Sequence, residues 1–504
     1  MASSVLPVEC LSIIFEHLSY ERMGVKNYSF TILHSCILVN KSWCVTAIPI
    51  LWRNAWNWLI DGLYLNRLSL LTATFITCLP KEIKNSLIRN HIKLKKWMKK
   101  VPSFEYSYFM NSLDYSWLYF SVNIFLKEHL KNKKENDKNE YRLMVIKELC
   151  KLFMKSSKNL IQLNYENQYQ KRYNYYKIRV EDYINLIFLP EANQTLKNLK
   201  KFQISGWIPS EIIFGISKIC KNIEEIKIND FHMDDDNDDV LIILIQEQKF
   251  LKKFSFEIKL KEEEEDDDND DDKILFLKFE KILKLKLQKF QSLTLSPICF
   301  CMDIFTECYN LEELNLIDER QFNEEILEKF SKTKFLKLLK LNININFLSF
   351  KQISSLIRNT EYNLEIITMI WIEGVDEIEN FQKFIDSIIF YCPNLKEYHG
   401  NFDINSIPLL CKNCIHLKKL GFYNFNIIDF SEILKQVGDV IPINLSNFYL
   451  PLCWNFNSES LEYFLEKCLI RLRYPLYFNI YEREKHSKII KHFSELNVLK
   501  KDDY

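Results

Sequence analysis

The chain has 504 residues, 47% of them apolar, and its 67 Lys and Arg balance 67 Asp and Glu. This balance excludes a global field that would draw the protein onto nucleic acid or acidic lipid, while the apolar share is ample for a large core. The 8 glycines are dispersed, with Gly206 and Gly215 the closest pair, which excludes GxGxxG and GxxxxGK phosphate loops and a G-x-S-x-G nucleophile elbow.

The first residues carry no basic leader and Glu9 interrupts their apolar stretch, so no secretory signal is expected. The 14 cysteines then point to a reducing compartment, cytosol or nucleus, where thiols stay free. Leu11, Ile14, Phe15 and Leu18 follow i, i+3, i+4, i+7 spacing and predict an amphipathic helix over 6–18, with Pro7 at its first position. A second apolar segment at 32–39 leads to Asn40, a candidate N-cap. A third helix follows over KSWCVTAIPILW, with Trp43, Ala47, Leu51 and Trp52 on one side and a bend at Pro49. Three helices in so few residues bury little core, so a partner is expected to cover their apolar surface.

These residues resemble the F-box motif in order: Leu6-Pro7, Glu9, Ile14-Phe15, Leu18, Cys36, Leu38-Val39-Asn40-Lys41, Trp43 and Pro49-Ile50-Leu51-Trp52. The resemblance implies that Leu6, Pro7, Ile14, Phe15, Leu18, Val39, Trp43, Leu51 and Trp52 fold the module or bind a Skp-type adaptor and, through it, a cullin. The polar stretch 19–29 is longer than the usual connection. Residues 56–155 look like the region behind the F-box in a large group of fungal F-box proteins and are expected to form a helical linker. Within them, 68–80 reads as a buried helix, too short to span a membrane, and KLKKWMKK at 93–100 as an exposed amphipathic helix with Leu94, Trp97 and Met98 on one side.

From about residue 160 an LxxLxL pattern recurs, often with Cys three before the first apolar anchor, as at Cys220, Cys308, Cys392 and Cys414. Anchors at Ile223, Leu251, Phe290, Leu311, Leu336, Leu364, Leu395, Leu417 and Leu445 give steps of 28, 39, 21, 25, 28, 31, 22 and 28, near the leucine-rich-repeat period. The long step contains the acidic run 262–272, read as an insertion. Each L-x-L is a strand with alternate residues inward, and the stretch after it has helical spacing. The Cys-first form resembles the cysteine-containing leucine-rich repeats often found behind an F-box. The expected fold is therefore an α/β repeat: an F-box at 1–55, a helical linker at 56–155, a leucine-rich-repeat solenoid at 156–482 with strands on the concave face and helices on the convex one, and a cap or tail at 483–504.

Cys411 and Cys414 near His416 suggest zinc, but Cys414 occupies the repeat position that Cys308 and Cys392 hold alone, so packing accounts for it. Cys299 and Cys301 are read the same way. The acidic stretches 234–239 and 262–272 lack the Gly and Glu of a calcium loop and are read as solvated loops. No catalytic constellation, metal site or cofactor is expected.

The expected function is substrate recognition for an SCF-type ubiquitin ligase, with a leucine-rich-repeat scaffold free of ligase assembly as the alternative. The target is expected on the concave row Lys227, Ser255, Thr294, Asn315, Lys340, Thr368, His399, Gly421 and Tyr449. Thr368, Trp371, His399, Tyr423 and Tyr449 form its anchor region. The mixed chemistry of the row points to a protein, not to nucleic acid or a membrane.

Overall fold

The computed structural model describes residues 6–20, 26–56, 65–130, 135–166, 178–205, 208–231, 235–258, 280–281, 283–296, 302–318, 324–345, 348–369, 378–400, 403–423, 428–451, 453–480 and 484–500. Contacts divide the chain into two units, Met1–Leu251 with Lys259–Glu263, and Lys252–Ile258 with Glu264–Tyr504. The acidic run 262–272, Cys299, Cys301 and Trp371 lie outside the described residues.

The first unit opens with α1 (Val8–Tyr20), α2 (Lys26–Ile37) and α3 (Lys41–Arg53). Leu11, Phe15, Leu33, Cys36, Ala47, Ile50 and Leu51 form their shared core, with Leu18, Ile37, Trp43 and Trp52 packed partly against it. Asn40 caps α3, its Oδ1 accepting the Trp43 N–H at 2.9 Å. This satisfies one of the amides that a helix start leaves without an intrahelical partner. Pro49 is accommodated inside α3. At the far end Arg53 forks onto Glu16, Nη1 to Oε2 at 2.9 Å and Nη2 to Oε1 at 2.5 Å, fastening α3 to α1.

Aromatic rings continue this packing into α4 (Leu65–Cys78), the buried helix expected near 68–80, and later into α7 (Glu135–Ser156). Trp52 meets Phe75 edge-on at 5.4 Å, and Trp56 and Phe75 both pack on Phe153. After α5 (Lys81–Arg89), the basic segment departs from its expected amphipathic helix. Only Lys96–Lys99 turns, as a 3-10 helix, while Leu94 and Met98 are buried and Trp97 is 41% exposed. The reason is visible in the chain: Ile92 and Leu94 alternate inward in extended backbone, which uses up the apolar residues a helix would need on one face.

The parallel ladder starts inside the stretch read as linker. β1 (Ser112–Asp114) pairs with β2 (Gln162–Asn164), and α6 (Tyr115–His129) and α7 (Glu135–Ser156) make the crossover. β3 (Lys201–Ser205) and β4 (Glu225–Phe231) follow in parallel register. The acidic residues after β4 are not a loop: Asp235–Glu247 is a helix. Negative charge is favoured at the amino end of a helix, and the apolar VLIILI that follows gives it a face to bury.

The second unit holds β5 (Lys253–Ile258), β6 (Ser292–Ser296), β7 (Glu313–Asp318), β8 (Lys340–Ile345), β9 (Ile366–Met369), β10 (Glu397–Gly400), β11 (Lys419–Phe422), β13 (Asn447–Tyr449) and β15 (Tyr477–Phe478), all parallel and in chain order. A separate pair, β12 (Ile428–Asp429) and β14 (Trp454–Asn455), lies beside them. Helices such as Phe350–Arg358, Ile378–Tyr391, Ser431–Val440 and Ser458–Arg471 return the chain between strands. This is an α/β repeat of leucine-rich-repeat type, in which each strand buries its alternate residues under the neighbouring turn.

One backbone device repeats and sets the register. The carbonyl of Gln291 accepts the N–H groups of Glu312 and Glu313 at 2.8 and 2.9 Å. Glu312, Leu339, Glu365, Lys396 and Lys418 do the same for the next strands, and in the first unit so do Asn111, Ile161 and Lys200. The register corrects one anchor: Leu336 is 38% exposed, whereas Leu338 is buried and Leu341 pairs with Leu314. With Leu338 as anchor the steps 25 and 28 become 27 and 26.

Cys220, Cys308, Cys392 and Cys414 are all buried at equivalent places. Burial pushes the Cys220, Cys308 and Cys414 thiols up to about 12 and the Cys392 and Cys411 thiols further still. They pack as small apolar groups rather than as reactive thiols. Among the described residues no group of three His, Cys, Asp or Glu is placed to hold a metal ion, and no helix is long and apolar enough to cross a membrane.

Candidate protein-binding surfaces

The nine residues singled out on α1–α3 separate by burial. Phe15 and Leu51 are core, 1% and 6% exposed. Trp43 packs edge-on against Phe15 at 5.3 Å, and Leu18 is partly buried beside it. Trp52 is turned inward, tilted against Tyr106 at 4.2 Å as well as meeting Phe75. These five hold the module together. Leu6, Ile14 and Val39 are 48%, 43% and 57% exposed, and Pro7 is exposed with them. Their surroundings add Leu38 of the same motif, and Val8, Ile13 and Val45, which the sequence pattern did not single out; all four are exposed. The three helices thus have a complete core and still leave apolar side chains in solvent.

On the open strand face of the first unit, a polar network crosses four strands. Asp114 Oδ1 accepts the Trp117 N–H at 2.9 Å, capping α6, and Oδ2 accepts from Asn164 Nδ2 at 2.7 Å. Asn164 Oδ1 accepts the Glu166 N–H at 2.7 Å. The Glu166 carboxylate takes the Asn229 amide, the Gln203 amide at 3.5 Å and the Lys227 ammonium at 3.7 Å. Burial, opposed by the Trp117 and Asn164 hydrogen bonds and helped by the Glu166 charge, pushes the Asp114 carboxyl up to about 7. Lys227 therefore stands in a charged, internally bonded row with Asp114, Asn164 and Gln203.

The second unit presents a different row. Register aligns Ser255, Thr294, Asn315, Asn342, Thr368, His399, Gly421 and Tyr449. Lys340 lies two residues earlier, paired with Glu313 and Ile366, and Asn342 takes its place. The aligned row carries no carboxylate and no ammonium. Asn315 Nδ2 donates to Thr294 Oγ1 at 2.9 Å, and the buried Asn342 Oδ1 has no partner among the described residues.

The row ends on rings. His399 and Tyr449 lie 5.9 Å apart, and Tyr449 and Tyr477 5.5 Å apart. Gly421 lies between the first two, and a Cβ there would come within 2.4 Å of His399 Nδ1, so the bare backbone is what lets the imidazole lie across it. Asn447 Nδ2 donates to the Tyr449 hydroxyl at 2.9 Å. Burial lowers the His399 pKa, partly opposed by Glu397. The structure thus brings Thr368, His399 and Tyr449 together and adds Tyr477. Tyr423, 40% exposed, stands one row further along and makes no ring contact with them among the described residues. Tyr477 escaped the pattern because its repeat, YPLYFNI, has no L-x-L; the alternation of Leu476, Phe478 and Ile480 was its signal.

No family model and no curated protein matches the chain. Among solved structures, the crystal structure of a Rad7 and Elc1 complex in yeast is similar over 67% of this chain and 89% of that one, at 13% identity and a TM-score of 0.38. That of the leucine-rich repeat-containing protein LegL7 from Legionella pneumophila is similar over 63% and 93%, at 9% identity and a TM-score of 0.31. Likeness this remote carries no argument about function, and the fold rests on the strand and helix pattern itself.

Proposed function

We propose that this protein is a non-catalytic substrate-recognition subunit of an SCF-type ubiquitin ligase, working in the cytosol or nucleus. In this reading α1–α3 bind a Skp-type adaptor and thereby a cullin, and the open strand face of the second unit holds a protein target. The receptor contributes proximity rather than chemistry, holding the target near a charged conjugating enzyme. The observation that carries the reading is the exposed apolar set Leu6, Ile14, Leu38 and Val39 on a helical unit whose core is already filled by Phe15, Leu33 and Leu51. With Pro7 these are the exposed apolar members of the ordered motif that resembles an F-box. The uncharged row ending on His399, Tyr449 and Tyr477 supports a protein target, since a few aromatic anchors commonly carry most of an interface.

The test is co-purification of a Skp-type adaptor with the full chain and with Ile14→Asp/Val39→Asp. Both positions are exposed, so the fold should survive. Losing such anchors costs about 2 kcal/mol or more, roughly thirtyfold in affinity. Adaptor binding unchanged by the double substitution would overturn the ligase reading. Target capture without any adaptor binding would favour a leucine-rich-repeat scaffold.

A further inference from the structure

We propose that the loop 93–101 of the first unit is a docking site for an anionic bilayer surface. The zero net charge of the chain conceals a local imbalance: residues 83–104 contain no Asp or Glu, while Lys84, Arg89, Lys93, Lys95, Lys96, Lys99 and Lys100 all fall within them. Among the described residues, Arg89 and the five lysines from Lys93 to Lys100 are exposed and enter no ion pair. Other lysines of the chain meet carboxylates, as Lys200 meets Glu224 at 2.7 Å and Lys435 meets Glu459 at 2.8 Å. Here six exposed cations fall within twelve residues, none of them in an ion pair among the described residues.

The loop is also held in shape. Ile92, Leu94 and Met98 are buried beneath it, and the Lys93 N–H donates to the His129 carbonyl at 3.0 Å. Lys84, only 5% exposed, donates its ammonium to the Thr77 carbonyl at 2.6 Å and to the Lys100 carbonyl at 3.2 Å. It thereby pins the end of the loop and adds a positive charge behind it. With the inner residues fixed, little further ordering is needed when the outer ones engage a surface. Two large apolar residues point outward among the lysines, Trp97 at 41% and Val101 at 90% exposure.

This combination fits one kind of partner. Trp favours the headgroup level of a bilayer, and clustered Lys is drawn to anionic lipid. Lys is a point charge that lacks the fork Arg uses to grip individual phosphates, so a diffuse surface of charge suits it better than a discrete phosphate site. Single-stranded nucleic acid is held by a series of aromatic platforms, whereas Trp97 is the one aromatic residue in 93–101. Attachment would be peripheral and reversible, and it is independent of the ligase reading.

The experiment is co-sedimentation of the full chain with phosphatidylcholine vesicles containing about a third phosphatidylserine, against pure phosphatidylcholine, in about 0.1 M salt. Binding should require the anionic lipid and weaken as salt rises. Lys95→Gln/Lys96→Gln/Lys99→Gln/Lys100→Gln should weaken it by roughly fivefold per lysine, to loss of detectable sedimentation. Trp97→Ala should weaken it less and leave the salt dependence unchanged. Sedimentation that is equal on neutral vesicles, or unaffected in the quadruple variant, overturns the proposal. So does binding that appears only with soluble polyglutamate or RNA and not with vesicles. Circular dichroism and melting of each variant confirm that a loss is not unfolding.

Discussion

The open strand faces of the two units are built on the same backbone pattern and finished in opposite ways. In the first, Asp114, Asn164, Glu166, Gln203, Lys227 and Asn229 bind one another, so charge is met within the face. In the second, the corresponding row is uncharged from Ser255 to Tyr449 and closes on rings tilted against one another. A face that satisfies its own polar groups gains rigidity and offers little to a partner, because each hydrogen bond made outward is one lost inward. An uncharged row that ends on flat rings can be covered at small desolvation cost. The difference teaches that the repeat supplies the frame, and that the residues between the inward-facing ones decide which stretch of it is free to bind.

The comparison breaks most severely if the floor under the aromatic end is removed. Phe448 is fully buried and stacks on Phe478 at 5.4 Å while touching Phe464 and Phe422. Phe448→Ala should destabilise the second unit by about 3–5 kcal/mol, read by chemical denaturation. A smaller loss, about 1–3 kcal/mol, is expected for Glu166→Gln in the first unit, because it takes the charge from a carboxylate that collects Asn229, Gln203 and Lys227. A stability unchanged within error would show that the network is ornamental.

Gly421→Ala sharpens the comparison at its centre. The added methyl meets a side chain rather than backbone, so His399 should swing away at a cost of about 1 kcal/mol while target binding falls further than stability does. The smallest effect is the titration of His399. Its folded pKa lies below the ordinary 6.5, so between the two values the unfolded chain holds more protons and stability declines as pH falls through that window. Well above 6.5 the imidazole is neutral in both states and contributes no pH dependence. Relative to His399→Gln, the wild type should lose stability on acidification below that point. A parallel course of the two proteins would show that the ring titrates as in water.

Much of this was legible in the sequence, for reasons that individual residues make plain. L-x-x-L-x-L writes the strand directly, because its inward residues must be apolar and its outward ones need not be. The Asn40 cap was readable because a short polar side chain stood before the third apolar helix. The first strand was not readable, since Met110, Leu113 and Tyr115 run into a helix rich in aromatic residues that masks the period. At 335–341 the run FLKLLKL offers several registers, and only the burial of Phe335 and Leu338 chooses between them. Lys340 was misplaced for that reason. For Trp52 the sequence left open whether it folds the module or meets the adaptor, since it shows the apolar character of the ring but not that Phe75 and Tyr106 pack against it.

The central claim is that targets are held by the open face of the second unit and not by that of the first. It is tested most directly by purifying the full chain from its native cells in three forms: wild type, Thr368→Glu/His399→Glu/Tyr449→Glu, and Gln203→Glu/Lys227→Glu. The proteins recovered with each are quantified by mass spectrometry. The account predicts that the triple variant loses the targets while keeping its Skp-type adaptor, and that the double variant keeps both. Targets retained by the triple variant, or lost only from the double, would contradict it.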